Sequence, residues 1–328
     1  MKIILILYGG CSSEYGVSLQ SAQAVLEHLN PRRWQALPVH ITRTGQWTCE
    51  GLPCVLRLDR GHAALLLADG RTLAFDGAFP VLHGKNGEDG TVQGLLEMAG
   101  VPVIGCGTLS SALCMDKDRA HKLAALAGVR VPRGKVFTGD GAPAELETCA
   151  RELGFPLFVK PVRSGSSFGI SRVTRAEELA EAVSAAFDHD REVLLEEAVP
   201  GFEVGCAVLG DPPALTVGAV DEIELSGGFF DFDEKYSLKT SAIHCPARIP
   251  PEKAREIQEA AKTVYTALDC RGFARADFFL TPAGEVVFNE VNTIPGFTAH
   301  SRYPSMMKAI GLDFTALLDR LIELGVGE

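Results

Sequence analysis

Two segments near the end of the chain place carboxylates in otherwise apolar surroundings. Residues 273–281 read FARADFFLT, and residues 285–292 read EVVFNEVN. Both patterns are typical of strands, and the PAG turn between them predicts a hairpin. Side chains alternate along a strand, so Glu290 and Asn292 share one face. Pairing around the turn can bring Asp277 close to Glu290, whereas a slip of one residue would separate them.

The oxygens of Asp277, Glu290 and Asn292 are hard ligands of the kind that Mg²⁺ prefers, and Mg²⁺ usually shares its shell with phosphates. The alternative is a polar face exposed to solvent. Clustered carboxylates in apolar surroundings need a cation, which favours the metal site. Arg275, two residues before Asp277, points to the same face and can supply positive charge. The hairpin therefore predicts a site for magnesium and phosphate.

A second candidate site surrounds Lys160. Residues 158–161 (FVKP) predict a strand end that carries this lysine, and residues 163–169 read RSGSSFG. Small residues let backbone N–H groups approach phosphate oxygens, and hydroxyls add donors. By itself the pattern is more typical of an ordinary Gly/Ser loop, so it does not establish a phosphate site alone.

The same loop contains GSSFG, a G-x-S-x-G pattern in which Ser167 would be the nucleophile of a hydrolase. That motif requires a strand before the serine and a helix after it. Residues 170–173 (ISRV) are extended in character instead, which disfavours a serine hydrolase. The chain also lacks a G-x-x-x-x-G-K-[ST] motif and the glycine pattern of a dinucleotide-binding loop.

Several other residues are ambiguous on their own. His83 begins a loop after a predicted strand, and Glu14 stands near the tip of the first strand. Loop ends in α/β folds are where ligands bind, but a lone histidine is more often structural, and Glu14 can simply favour a helix start. Tyr236 lies in a polar, aromatic loop and can be a surface aromatic. His244 and His300 lack the spacing of metal ligands.

The elements that must position these residues alternate between strand and helix in the first third of the chain. The pattern predicts strands at 3–8, 34–42 and 78–82 and helices at 18–29 and 91–98. This order indicates a parallel sheet with helices on both faces.

Further along, the pattern predicts one helix over 108–127. A capping box formed by Thr174 and Glu177 opens the next helix. Pro251 marks the first turn of a helix that runs to about residue 268, and one C-terminal helix closes the chain.

The composition excludes several classes of protein. A chain of 328 residues indicates two or three domains, and 46% hydrophobic with 22% charged residues is typical of a globular protein. The formal net charge of -11 disfavours nucleic acid and membrane surfaces as partners. Nine cysteines without a Cys-x-x-Cys pair indicate free thiols in a reducing compartment. With no apolar stretch of membrane-spanning length, we expect a cytoplasmic protein.

Taken together, these motifs resemble those of D-alanine–D-alanine ligases. The matching segments, in chain order, are 9–14 with 17–18, 83–93, 160–161 with 165–167, 275–277 and 289–298. Each is weak alone, but the combination is specific and covers nearly the whole chain. The resemblance implies an α/β, three-domain ATP-grasp fold with ATP between the central and C-terminal domains. The implied parts are 1–105 (N-terminal α/β substrate domain), 106–199 (central ATP-grasp domain) and 200–328 (C-terminal ATP-grasp domain), with a lid loop at 226–241.

The resemblance also implies how the first substrate, D-alanine, is bound. Glu14 would hold its ammonium group, and His83 would line the same subsite. Ser166 and Tyr236 match the pair that forms a hydrogen-bonded network with Glu14.

Further roles are implied for the nucleotide, the metal and the second substrate. The residues implied at ATP are Lys117, Lys160 and Lys235 on the phosphates, Glu196, Glu197 and Val199 at the adenine edge, Glu203 at the ribose, and also Ser167 and Phe279. The implied Mg²⁺ ligands are Asp277, Glu290 and Asn292, with two ions expected and Mn²⁺ as a substitute. Arg275 and the backbone of Gly296 resemble an oxyanion site, and Ser301 would hold the second substrate's carboxylate. Ser164 departs from the family pattern, in which Glu is frequent.

Some details resemble the vancomycin-resistance D-alanine–D-serine ligases. These are residues 85–86 (KN), the loop 229–239 and residues 301–304 (SRYP). Arg302 stands where housekeeping enzymes usually have a nonpolar residue, which favours D-serine as the second substrate, with D-alanine next. Tyr236 matches the tyrosine of dipeptide-forming members and argues against D-lactate. The expected product is a dipeptide precursor of peptidoglycan, and the expected assembly is a homodimer.

The implied reaction begins when ATP phosphorylates the first substrate to an acyl phosphate, which the second substrate's amine then attacks. The lid loop would exclude water from this intermediate. We expect a modest effect from Tyr236→Phe and a severe one from Arg275→Ala. The alternatives are a housekeeping D-alanine–D-alanine ligase, a serine hydrolase using Ser167, and a nucleotide-binding regulator without catalysis.

Overall fold

Three β-sheets follow one another along the chain. The computed structural model describes residues 1–59, 63–139, 143–165, 168–225 and 241–327. Within these ranges the sheets have seven, four and five strands. No helix in the described ranges is long and apolar enough to cross a membrane.

The first sheet is mixed rather than parallel. Its part of the chain comprises β1 (Lys2–Gly9), α1 (Tyr15–His28), β2 (Trp34–Ile41), β3 (Trp47–Cys49), β4 (Leu52–Arg57), β5 (Ala64–Leu67), β6 (Thr72–Ala74), β7 (Gly77–Val81) and α2 (Thr91–Met98). The order is β6-β5-β4-β3-β2-β1-β7. β1 is parallel to β2 and β7, as predicted. The prediction was wrong for β3 to β6, which are antiparallel because short connections join successive strands.

Helices do cover both faces of this sheet. On β1, Ile4 and Ile6 pack in the same cluster as Val25 of α1, whereas Leu5 and Leu7 pack in a cluster with residues of α2. Burial on both faces explains why β1 is an unbroken apolar run. The carboxyl ends of β1 and β7, which lead to Glu14 and His83, therefore meet at one edge of the sheet.

The second sheet is antiparallel. This part comprises α3 (Thr108–Met115), α4 (Lys117–Leu126), β8 (Gly134–Thr138), α5 (Pro143–Leu153), β9 (Leu157–Pro161), β10 (Ser171–Val173), a 3-10 turn (Ala176–Glu178), α6 (Leu179–Phe187) and β11 (Glu192–Glu197). The order is β10-β9-β11-β8. The predicted phosphate lysine, Lys160, lies in β9 and pairs with Leu194 of β11.

Two local predictions in this part were wrong in detail. The helix predicted over 108–127 is two helices, because Asp116 leaves the helical conformation and caps α4 by accepting from Arg119 N (3.0 Å). The capping partner of Thr174 is Glu178 rather than Glu177: its Oε2 accepts from the backbone N–H and from the hydroxyl of Thr174.

The third sheet is antiparallel and carries the predicted hairpin. This part comprises β12 (Phe202–Asp211), β13 (Ala214–Leu225), β14 (Ser241–His244), α7 (Pro251–Ala267), β15 (Phe273–Leu280), β16 (Val286–Asn292), α8 (Arg302–Lys308) and α9 (Phe314–Val326). The order is β14-β13-β12-β15-β16. Asp277 lies opposite Glu290, which confirms the predicted pairing, and a bulge follows Asp277. Two helices, α8 and α9, close the chain where one was predicted.

The first and third sheets share a core. Phe79 of β7 contacts Phe273 of β15 and Phe297 edge to face, at centroid distances of 5.9 and 5.7 Å. At the edge of this core, Trp34 donates from its indole Nε1 to Asp319 Oδ1 of α9 (2.6 Å). The two sheets are thus held together by aromatic packing and by a hydrogen bond between β2 and the last helix.

Removing this hydrogen bond should weaken the junction. We expect Asp319→Ala to lower the free energy of unfolding by about 1–3 kcal/mol, since the buried indole N–H of Trp34 loses its acceptor. Asp319→Asn keeps an acceptor oxygen and should cost less. Urea unfolding of the three proteins measures the difference, and equal stability of Asp319→Ala and wild type would contradict it.

Candidate active site

A cleft of about 300 Å³ lies where the carboxyl ends of β1 and β7 face the end of β16. It brings together nine of the twenty site residues that the sequence predicted. Those lining it are Glu14, His83, Lys117, Arg275, Glu290, Asn292, Gly296, Ser301 and Arg302. Residues from all three parts of the chain thus converge on one cleft.

Glu14 is held at the cleft by short loops. It precedes the first residue of α1, and its backbone N–H donates to Ser12 Oγ (3.2 Å). The Ser12 hydroxyl donates in turn to the carbonyl of His83 (2.6 Å). A Cβ on Gly84 would collide with Glu14 Oε2, and a Cβ on Gly165 would lie 3.4 Å from the same oxygen. Two loops therefore approach this carboxylate closely at their glycines.

His83 connects the first and third parts of the chain. Its Nδ1 is 2.9 Å from the carbonyl of Ile294, and its Nε2 is 3.0 Å from Ser21 Oγ. Burial lowers the pKa of His83, although Glu14 and the Ile294 carbonyl oppose this. A neutral ring that donates from Nδ1 and accepts at Nε2 satisfies both contacts. His83 is therefore an uncharged group in the wall of the cleft.

The predicted metal ligands lie on neighbouring strands. Asp277 is buried and faces Glu290 across the hairpin, and Asn292 Nδ2 donates to Asp277 Oδ2 (2.9 Å). In the described part of the chain, no three His, Cys, Asp or Glu side chains gather closely enough to hold a metal ion unaided. Two carboxylates and an amide fit a Mg²⁺ ion that takes its remaining ligands from phosphates and water.

Two buried arginines neutralise the carboxylates around Asp277. Arg275 donates from Nε to Asp277 Oδ1 (2.8 Å) and from Nη2 to Oδ2 (2.7 Å). Arg302 forms two bonds to Asp221 (2.7 and 2.8 Å) and approaches Asp277 Oδ1 to 3.3 Å. It also donates to Glu203 Oε1 (2.9 Å). Burial opposes the charge of Arg302, but Asp221 and Asp277 outweigh it and raise the pKa of Arg302 far above its ordinary value.

The residues predicted at the nucleotide continue from the cleft along β9 and β11. Lys117 donates to the carbonyl of Ser164 (2.7 Å) and is 3.8 Å from Glu290. Lys160 is paired with Glu196 Oε1 (2.5 Å), and both are buried. The other oxygen of Glu196 is buried without a hydrogen-bond partner among the described residues. A buried acceptor of this kind is suited to a ligand that donates a hydrogen bond.

Among the described residues, four more that the sequence predicted do not line the cleft. Glu197 is paired with Arg133 (2.6 Å), and Val199 follows the end of β11. Glu203, expected at the ribose, accepts a hydrogen bond from Arg302, and Phe279 is its neighbour across β12 and β15. The predictions for Ser166, Ser167, Lys235, Tyr236 and nearly the whole lid loop fall on residues outside those that the structure describes.

Asp221 and Glu88 were not predicted from the sequence. Asp221 interrupts an apolar strand, and a charge in such a run is a signal for a buried ion pair. Glu88 lines the cleft, where its Oε2 accepts from Gly84 N (2.7 Å) and its Oε1 from Ile294 N (3.4 Å). Burial, with the charge of Glu14, raises the pKa of Glu88 to about 8. A local sequence pattern could not reveal that Glu88 lines the cleft, because its partner Ile294 is 206 residues away and its other partner, Gly84, lies in its own loop.

Glu88 should make stability depend on pH. Its pKa is raised from 4.5 to about 8 on folding, so its contribution is present at low pH and is lost as the pH rises through 8. When the buffer is changed from pH 5 to pH 9, the free energy of unfolding of wild type should fall by about 1–2 kcal/mol relative to that of Glu88→Gln. This is less than the full pKa shift implies, because the carboxyl borders an open cleft. Urea unfolding at both pH values tests this, and parallel pH dependences would contradict it.

Comparison with known proteins identifies the family and the fold. A family model described as D-ala D-ala ligase N-terminus matches residues 3–106, and one described as D-ala D-ala ligase C-terminus matches residues 123–323. The crystal structure of VanG D-Ala:D-Ser ligase from Enterococcus faecalis is 55% identical, with a TM-score of 0.92 and 99% of each chain covered.

Curated relatives cover the chain to a similar extent. A putative D-alanine–D-lactate ligase from Streptomyces coelicolor is 47% identical over 98% of this chain and 96% of the relative. The vancomycin B-type resistance protein VanB from Enterococcus faecalis is 43% identical over 98% of each chain. These matches and the convergent cleft lead to one conclusion: the chain belongs to the D-alanine–D-alanine ligase family, has the ATP-grasp fold and is an ATP-dependent ligase.

Proposed function

We propose that this ligase joins D-alanine to D-serine through an acyl-phosphate intermediate. The observation that carries the proposal is the placement of Arg302 in the cleft, next to Ser301 and clamped by three carboxylates. The VanG relative, a D-Ala:D-Ser ligase, also supports it.

The donors of Arg302 explain the preference for serine. A guanidinium has five N–H donors. Three are used in hydrogen bonds to Asp221 and Glu203, and one more faces Asp277. Within the described residues this leaves one donor for a ligand. The hydroxyl of D-serine can accept it, but the methyl groups of D-alanine and D-lactate cannot, and an unmatched buried donor disfavours them.

Glu14 and His83 are suited to the first substrate. A buried carboxylate between two glycine loops can hold the ammonium group of D-alanine. Neutral His83 adds no charge that would compete for the carboxylate. In this proposal Ser166 and Tyr236 complete the network around Glu14.

The phosphoryl-transfer groups come from the hairpin and the central part. Asp277, Glu290 and Asn292 would hold two Mg²⁺ ions, with Mn²⁺ as a substitute. When bound, the metal neutralises charge on the transferring phosphoryl group. Lys117 and Lys160 add positive charge along the path of the phosphates.

Arg275 and the backbone N–H of Gly296 act on the second step. Both border the cleft, where they can donate to the oxygen that gains charge when the amine attacks the acyl carbon. Ser301 would bind the second substrate's carboxylate. In the structure its hydroxyl lies 2.9 Å from Thr298 Oγ1, which holds its position.

The remaining expectations complete the proposal. The nucleotide residues Ser167, Glu196, Glu197, Val199, Glu203, Lys235 and Phe279 keep their proposed roles. The proposal also includes domain boundaries at 105 and 199, the lid loop, a homodimer and a product that serves as a peptidoglycan precursor. A housekeeping D-alanine–D-alanine ligase is the alternative, while hydrolysis by Ser167 gains no support from the family.

Product analysis tests the second substrate. We expect phosphate release from Mg²⁺-ATP with D-alanine plus D-serine, and mainly the mixed dipeptide by mass at equal concentrations. D-alanine alone, D-alanine plus D-lactate, and Arg302→Leu are the comparisons. Predominant D-alanyl-D-alanine would make the chain a housekeeping-type enzyme, and predominant depsipeptide would contradict the argument from Tyr236.

The role of Arg275 gives a second test. Arg275→Ala should lower kcat by about 10²–10³-fold, the usual cost of one lost oxyanion donor. Arg275→Lys keeps the positive charge but not the planar hydrogen bonds of the guanidinium. A smaller loss of kcat in Arg275→Lys than in Arg275→Ala would measure the contribution of the charge that pairs with Asp277. Tyr236→Phe should change kcat modestly. Equal losses in Arg275→Ala and Tyr236→Phe would undermine both assignments.

A further inference from the structure

Gly205 lies at the centre of the charged network around Arg302. It is in the middle of β12, opposite Asp221 of β13 on one side and Asp277 of β15 on the other. Asp277 is in turn opposite Glu290. One row across four strands thus contains three carboxylates and a glycine.

A side chain at Gly205 would occupy the place of the guanidinium. A Cβ there would lie 2.5 Å from Arg302 Nη2, 2.7 Å from Asp277 Oδ1 and 2.9 Å from Asp221 Oδ1. Each distance is below 3.0 Å, which real Cβ atoms essentially never show. All three neighbours are ion-paired and nearly buried, so none can move away without breaking a charged contact.

Conformation does not explain this glycine. Gly205 is not among the residues with positive φ, and its neighbours Val204 and Cys206 continue the strand. Glycine inside a strand weakens it, and its usual reason there is the close approach of another group. That group is the guanidinium of Arg302.

We propose that Gly205 is a positioning residue for the second-substrate site. Its missing side chain forms the slot in which Arg302 lies between Asp221 and Asp277, so that the remaining guanidinium donor faces the cleft. The selectivity part of this inference rests on the proposed D-serine function. The positioning part does not, because Arg302 borders the cleft whichever second substrate is used.

A mutant cycle tests the slot. Gly205→Ala is made in wild type and in an Asp221→Asn/Arg302→Leu background, which removes the guanidinium and avoids leaving a buried carboxylate unpaired. In wild type we expect the KM for the second substrate to rise about tenfold, the size of one lost charge-assisted hydrogen bond, and the serine-to-alanine product ratio to fall. In the background without the guanidinium, the side chains at 221 and 277 can move into the vacated space and relieve their own contacts with the new Cβ, so Gly205→Ala should change KM by less than about twofold.

Further measurements separate positioning from folding. The KM for the first D-alanine should stay within about twofold in Gly205→Ala, because Glu14 and His83 are on other elements. Cys206→Ala, at the next position of β12, alters the opposite, buried face and should change the melting temperature without changing the product ratio.

The outcomes distinguish the two proposals. Equal effects of Gly205→Ala in both backgrounds, or none in wild type, would overturn the slot. If wild type prefers D-alanine, the D-serine proposal fails, and the same cycle, measured as KM for the second D-alanine, still decides the role of Gly205. If Gly205→Ala alone is insoluble while the triple variant folds, the guanidinium is the cause, as the slot requires.

Discussion

The buried charge of Asp277 is the constraint on which the site depends. Asp277 lies inside an antiparallel sheet, where an ionised carboxylate is tolerated only when its charge is compensated and its oxygens are bonded. Arg275, Arg302 and Asn292 provide that compensation from β15, α8 and β16. The same carboxylate is one of the three proposed metal ligands. The residues proposed for the oxyanion, the metal and the second substrate are therefore parts of one charged network rather than separate additions to the fold.

That network borders the same cleft as the proposed first-substrate residues, which follow strands of a different sheet. His83 and Glu88 make the connection, since both bond to the backbone of Ile294 just after β16. Because these contacts are buried or half-buried and polar, a shift of the first part relative to the third would leave hydrogen-bonding groups unpaired. Shared aromatic packing around Phe79 and Phe273 holds the same two sheets together. The relative position of the two proposed substrate sites thus depends both on these hydrogen bonds and on apolar packing.

Local sequence patterns predicted many of these site residues and the strands that carry them. Alternation along residues 285–292 and the turn before them were enough to predict the hairpin, and apolar surroundings marked Asp277 as a charge that needs compensation. Glu14 and His83 could be placed at strand ends because loops after parallel strands meet at one edge. The ligase family followed from the order of several motifs, none of which was specific alone. Patterns with a short range along the chain are readable in this way because backbone periodicity relates sequence directly to a face of a strand or helix.

Contacts between distant segments were decided only by the tertiary structure. Arg302 is readable as an unusual residue, but its partners Asp221, Glu203 and Asp277 lie 81, 99 and 25 positions away, and no local pattern pairs them. The mixed first sheet likewise depends on the order in which its short strands pair, which no local pattern predicts. The sequence by itself determined which side chains carry charge, and on which strand face each of them stands. Tertiary structure decided which opposite charges meet, because that depends on strand order and on the space left by a single residue such as Gly205.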